Sequence, residues 1–212
     1  MRMSARGLVR FMTSSPSGQR KVLRDYKYPE PEGVAQASYY RDVMDVIERY
    51  HREERDKEWV LGRALALEQT SWSASGSRRT RLVKNLAAIR AYANQLPRRH
   101  YVLLGSPRLA IEAHDVYVSV AAPMHVRENG REKLVLVLPG ERMTEHEARL
   151  YCQITCEAAD RAGLDIAPRD VVAVMLHAGA TVTATPNRAR VRRDIDAALQ
   201  NIAAMWPSIE AA

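Results

Sequence analysis

The chain has little cysteine, no long apolar run and none of the short motifs that announce a chemistry. Only Cys152 and Cys156 are present among 212 residues, which excludes a disulfide framework and suits a reducing compartment. No stretch approaches the roughly 18–20 consecutive apolar residues that span a bilayer, and no secretory apolar segment opens the sequence. The expected protein is therefore soluble and cytoplasmic, with no membrane partner. The Arg- and Ser-rich start mimics an organellar transit peptide, but Asp25 and the tyrosines that follow run straight into a helical pattern. No internal repeat occurs. There is no Gly-rich phosphate loop, nucleophile elbow or zinc spacing. Zinc fingers, an aromatic RNA-stacking pattern and a helix-turn-helix are equally missing, so base-specific reading of nucleic acid has no carrier.

What is present is an ordinary globular composition with a basic excess. Hydrophobic residues make up 46% and charged residues 27%, which argues against wholesale disorder. The formal charge of +7 favours polyanionic partners, or simply keeps a basic protein soluble. Residues 1–33 hold Arg2, Arg6, Arg10, Arg20, Lys21, Arg24 and Lys27 against Asp25, Glu30 and Glu32, together with the breaker-rich stretches "TSSPSG" and "YPEPEG". This reads as a basic N-terminal segment over 1–37.

Helical periodicity begins next. Tyr40, Val43, Met44 and Ile47 recur at helical spacing within 38–54, and 57–69 is a second helical segment. "TSWSASGSRR" at 70–79 reads as a loop, closing a helical extension over 38–79. A third helix is expected over about 80–96, with Leu82, Leu86, Ile89, Ala93 and Leu96 as its stripe and Pro97 at its end. From Tyr101 the period changes to two. "DVYVSVAAPMHV" at 115–126 reads as one strand, with Val116, Val118, Val120, Ala122, Met124 and Val126 on one face. Asn129-Gly130 tolerates the positive φ of a type I′ turn and predicts a hairpin to "KLVLVLPG" at 133–140. That return strand has no polar residue among Leu134–Leu138, as a central strand buried on both sides requires. Thr144 and Glu147 make a capping box for a helix ending at Gly163. Cys152 and Cys156 share a face of it and are expected to be buried and inert. "DVVAVMLHAG" and "TVTATP" read as one long strand or two short ones, followed by a helix from Pro186 to about Met205. Arg188, Arg190, Arg192 and Arg193 crowd its first two turns against the helix dipole, a small cost unless an anion sits beside them.

From residue 80 the order is helix, three antiparallel strands, helix, strand. The expected fold class is α/β (α+β): a central mixed sheet flanked by helices, with a core over 80–212. This order, with Gly140 after the third strand and Gln153 in the following helix, resembles the PD-(D/E)XK nuclease superfamily, particularly its RecB-type branch. The resemblance implies a restriction-endonuclease-like αβββαβ core. In that family carboxylates hold Mg²⁺ and a lysine assists the attacking water. On this chain the carboxylate of the third strand falls on Leu136, the lysine on Leu138, and the aspartate of the second strand on Pro123 or Met124. None of them ligates a metal.

Three functions stay open. The first is a catalytically inactive nuclease-like domain that binds nucleic acid or a nucleoprotein complex, through Arg78, Arg79, Arg81, Arg188, Arg190, Arg192 and Arg193. The second is a protein–protein interaction module whose basic charge is incidental. The third is a metal-dependent nuclease with a relocated site, for which His125 and Glu128 are the candidates among a wider set of His114, Asp115, Glu132, Glu141 and His146. No cofactor is expected unless the third holds, when Mg²⁺ would be needed. The weight falls against an enzyme.

Overall fold

The neighbours of "LVLVL" explain why it is apolar on both faces. The computed structural model describes residues 1–29, 39–95, 100–121, 123–140 and 143–211; Glu30, Glu32, Leu96, Pro97, Ala122 and Glu141 lie outside them. In chain order the elements are β1 (Arg2–Ser4), α1 (Ala5–Thr13), α2 (Pro16–Lys27), α3 (Arg41–Arg52), α4 (Lys57–Trp72), α5 (Gly76–Ala93), β2 (Val102–Gly105), β3 (Leu109–Ala113), β4 (Val116–Val120), β5 (Met124–Glu128), β6 (Arg131–Leu138), α6 (Glu145–Arg161), β7 (Val171–Met175), β8 (Ala180–Thr183) and α7 (Arg188–Met205). They form an α+β fold with a mixed five-stranded sheet of order β2-β5-β6-β7-β8 and a three-stranded sheet of order β1-β4-β3.

β6 occupies the middle of the larger sheet. It pairs antiparallel with β5 and parallel with β7, Leu134 standing opposite Val171 and Leu138 opposite Met175. Leu134, Leu136 and Leu138 join the core made with α1, α6 and α7. Val135 and Val137 join the second core, with Val43 and Ile47 of α3 and Leu86 and Ile89 of α5. A strand sandwiched in this way has no solvent face for a polar residue. Each fully buried aliphatic side chain contributes about 1.5–3 kcal/mol.

The helix after Pro139-Gly140 forms as expected. Glu147 Oε2 accepts from the Thr144 backbone N–H at 2.8 Å, and the Glu147 N–H donates to Thr144 Oγ1 at 3.2 Å. The hairpin forms too: Asn129 and Gly130 take φ of 50° and 75°, the left-handed geometry that Asn-Gly supplies at little cost.

Three expectations need correction. The run 115–126 is two strands, not one. β4 pairs with β3 and β1, whereas β5 pairs with β2 and β6 in the other sheet. Pro123 lies in the gap and has no N–H for a ladder, while the apolar alternation runs on across the break and hides it. The stretch 70–79 is mostly helical: α4 continues to Trp72 and α5 starts at Gly76, so only 73–75 link them. A boundary at residue 79 thus falls inside α5, whose residues share a core with the sheet. Finally, residues 1–27 pack into the body of the protein. Met3, Leu8, Phe11, Val22 and Leu23 are buried in the core of the smaller sheet, and "TSSPSG" is the link where Ser15 caps α2 and Pro16 starts it.

Candidate nucleic-acid interface

The positions that the nuclease resemblance singles out are core. Leu136 is 4% exposed, Leu138 2% and Met124 3%. The two leucines face α6 and Met124 faces the opposite layer, so the three do not converge on any surface. Gln153 donates from Nε2 to Thr185 Oγ1 at 2.7 Å, linking α6 to the segment after β8. Gly140 lies under the ring of Tyr40, which a Cβ there would meet at 3.4 Å.

The relocated candidates are kept apart by the pleat. His125 and Glu128, three residues apart on β5, point to opposite faces of the sheet. His125 Nε2 stands 3.0 Å from Glu132 Oε2, and Arg127 donates to Glu132 Oε1 at 3.1 Å. The hydrogen bond from Arg127, then that from His125, holds the Glu132 carboxyl below its ordinary range. Glu128 accepts from Lys133 Nζ at 2.6 Å on the other face. His114 pairs with Asp196 at 3.0 Å, fixing the β3–β4 turn to α7, and His146 is exposed. Among the described residues no three His, Cys, Asp or Glu side chains converge to hold a metal ion. Burial pushes the Cys152 thiol up to about 12 and raises Cys156 as well, so neither is poised as a thiolate.

The arginines separate into two groups on opposite sides of the five-stranded sheet. α7 packs with α6 against the Leu134–Leu136–Leu138 face, and α5 lies against the Val135–Val137 face. In α7 the anion that the arginine cluster requires is internal. Arg192 Nε stands 3.1 Å from both carboxylate oxygens of Glu157, and its Nη2 2.6 Å from Asp160. Arg188 donates to Asp160 at 3.4 Å and to the Ile166 carbonyl at 2.6 Å. The hydrogen bond that Arg192 donates to Glu157 raises Arg192 above its ordinary pKa. Asn187 already caps the helix by accepting from the Arg190 N–H. Arg190 has Asp194 at 3.8 Å, and Arg193 is exposed with no carboxylate partner among the described residues.

α5 is arranged differently. Ser75 at its N-cap makes no side-chain bond into the helix, so its first N–H groups remain available to an anion. Arg78 and Arg79 are exposed with no carboxylate partner among the described residues. The Arg81 Nε is buried without a hydrogen-bond partner. Residues 69–95 contain no Asp or Glu at all, so nothing in this stretch neutralises Arg78, Arg79, Arg81 and Lys84.

Sequence reasoning missed Glu157 and Asp160. Both sit in the last turns of α6, about 30 residues before their arginines, and a long-range pair of this kind leaves no local pattern. It also missed a cleft of about 300 Å³ lined by His51, Arg52, Glu54 and the residues from Tyr101 to Gly105. Beside it His51 Nε2 and the Tyr92 hydroxyl lie 2.6 Å apart in the core.

Comparison of the chain with protein-family models gives no match, and comparison with curated proteins gives none.

Proposed function

We propose that the chain is a catalytically silent binding domain, nuclease-like in descent, that contacts nucleic acid through phosphates at the start of α5. The observation that carries this reading is the uncapped helix start bearing Arg78 and Arg79, which have no carboxylate partner among the described residues, in a stretch free of acidic residues. The α7 cluster supports it less, because Arg188 and Arg192 serve the α6–α7 contact. Free N–H groups and guanidinium groups suit a phosphate without regard to base. Leucines fill the positions where the family holds metal and lysine, and the relocated candidates are paired within the hairpin.

The test is a titration with labelled single- and double-stranded DNA at nanomolar protein and two salt concentrations. Affinity should fall with salt by a log–log slope of about −0.9 per duplex phosphate neutralised. Arg78→Gln/Arg79→Gln should make that slope shallower by one to two contacts, and Arg190→Gln/Arg193→Gln should change it less. No binding at low salt, or an unchanged slope in the α5 variant, overturns the reading. The same DNA with Mg²⁺ or Mn²⁺ should remain uncut. Cleavage that disappears in His125→Ala or Glu128→Gln would promote the relocated nuclease in its place.

A further inference from the structure

We infer that the outer groove of the α4–α5 pair is a self-association surface, on which a second copy of this chain packs with its α4 antiparallel. α4 carries two apolar stripes where one would serve the fold. Val60, Ala64 and Ser71 face inward and are buried. Leu61, Leu65 and Trp72 repeat the same spacing one residue on, and they are 42%, 51% and 70% exposed. Glu68, at the third position of this outer stripe, reaches across to Arg90 of α5 at 2.7 Å. Arg79, Val83 and Arg90 share one side of α5, so the ion pair sets the outer stripe beside Val83, itself 47% exposed. The other large exposed apolar residues among the described ones, Tyr28, Val102, Leu104 and Tyr117, lie elsewhere in the fold.

Charge selects the partner and its direction. Glu58, in the first turn of α4, is exposed and has no cation partner among the described residues; Arg79, just past the other end of the stripe, is exposed and has no carboxylate. The stripe runs from Leu61 to Trp72 with Leu65 and Glu68 at its middle. A two-fold axis there sets Leu61 against Trp72 of the other copy and brings each Glu58 toward the other copy's Arg79. One surface with acid at one end, base at the other and apolar residues between them is complementary to itself only when antiparallel, which is the isologous geometry of a two-fold dimer. α4 is about 24 Å long. An interface along a helix pair of this length belongs with the small end of stable interfaces, about 1,200 Å² in total, so the expected dimer is weak and reversible. This inference does not depend on nucleic-acid binding.

Sedimentation of the full chain without nucleic acid, from about 1 to 200 μM, tests it. A reversible monomer–dimer equilibrium is expected. Leu65→Glu should abolish it, and because this side chain is half exposed the variant should keep the wild-type circular dichroism and melting temperature. Glu58→Arg and Arg79→Glu should each weaken the dimer about tenfold, and the two together should restore it. A monomer at the highest concentration overturns the inference. So does a dimer that survives Leu65→Glu, or a double reversal that rescues nothing.

Discussion

Cys152 shows how a single buried atom sets a pH limit for the molecule. Its thiol is fully buried on α6 beside the Val182 carbonyl, and burial lifts its pKa to about 12. Burial raises Cys156 and Tyr151 in the same direction. In the unfolded chain a thiol ionises from about pH 9. Above that pH the unfolded state loses protons that the native state keeps, so stability is full below pH 9 and falls as pH rises toward 12. The slope is at most about 1.4 kcal/mol per pH unit for each such group. Urea midpoints at pH 8 and pH 10 should therefore drop for the wild type and drop less for Cys152→Ala. Equal drops would show that the thiol titrates as if exposed. Arg192 makes the complementary point: a charged group that looks like a ligand site in sequence is held by Glu157 and Asp160 of its own chain.

Among the elements, β6 shows what a catalytic side chain at this place would cost. Leu136 and Leu138 pack against α6 in the larger core. Removing Leu136 to alanine loses transfer energy and leaves a cavity, at about 2–5 kcal/mol. Placing a carboxylate there costs more, because the strand offers the charge neither water nor a cation. Leu136→Ala should stay soluble with a lowered melting temperature. Leu136→Asp/Leu138→Lys, which introduces the residue types that the nuclease resemblance implies, should yield insoluble or unfolded protein. A soluble double variant that cut DNA with Mg²⁺ would show that these positions tolerate catalytic side chains despite their burial.

At the scale of the whole molecule, two cores share one sheet. Alternate residues of β6 and β7 belong to different cores, so neither layer can lose its packing while the strands remain ordered. The tryptophans report the layers separately: Trp59 and Trp72 lie on α4, and Trp206 packs with α7 and the N-terminal helices. Lys27 fastens that side by donating to the Trp206 and Ile209 carbonyls at 3.0 and 2.8 Å. A variant retaining only Trp206 and one lacking only Trp206 should unfold at the same denaturant concentration. Separate midpoints would mean that the α3–α4–α5 layer melts on its own.

The local chemistry of this chain is legible without its structure. Asn129-Gly130 dictates a turn, Thr144 and Glu147 dictate a helix start, and the unbroken apolar run of β6 dictates a central strand, because each is decided by neighbours within a few residues. Three decisions were tertiary. The period-two pattern through 115–126 cannot show that its halves join different sheets, since alternation records which side is buried and not against what. "TSWSASGSRR" is rich in loop formers, yet packing of α4 on α5 extends both helices into it. The arginines at 188 and 192 look free until α6 brings Glu157 and Asp160 beside them, whereas those at 78 and 79 have no carboxylate partner among the described residues. Sequence thus fixes what each segment prefers when its partners lie close along the chain. Which charges are neutralised and which faces remain open depend on residues far apart in sequence, and only the folded contacts bring them together.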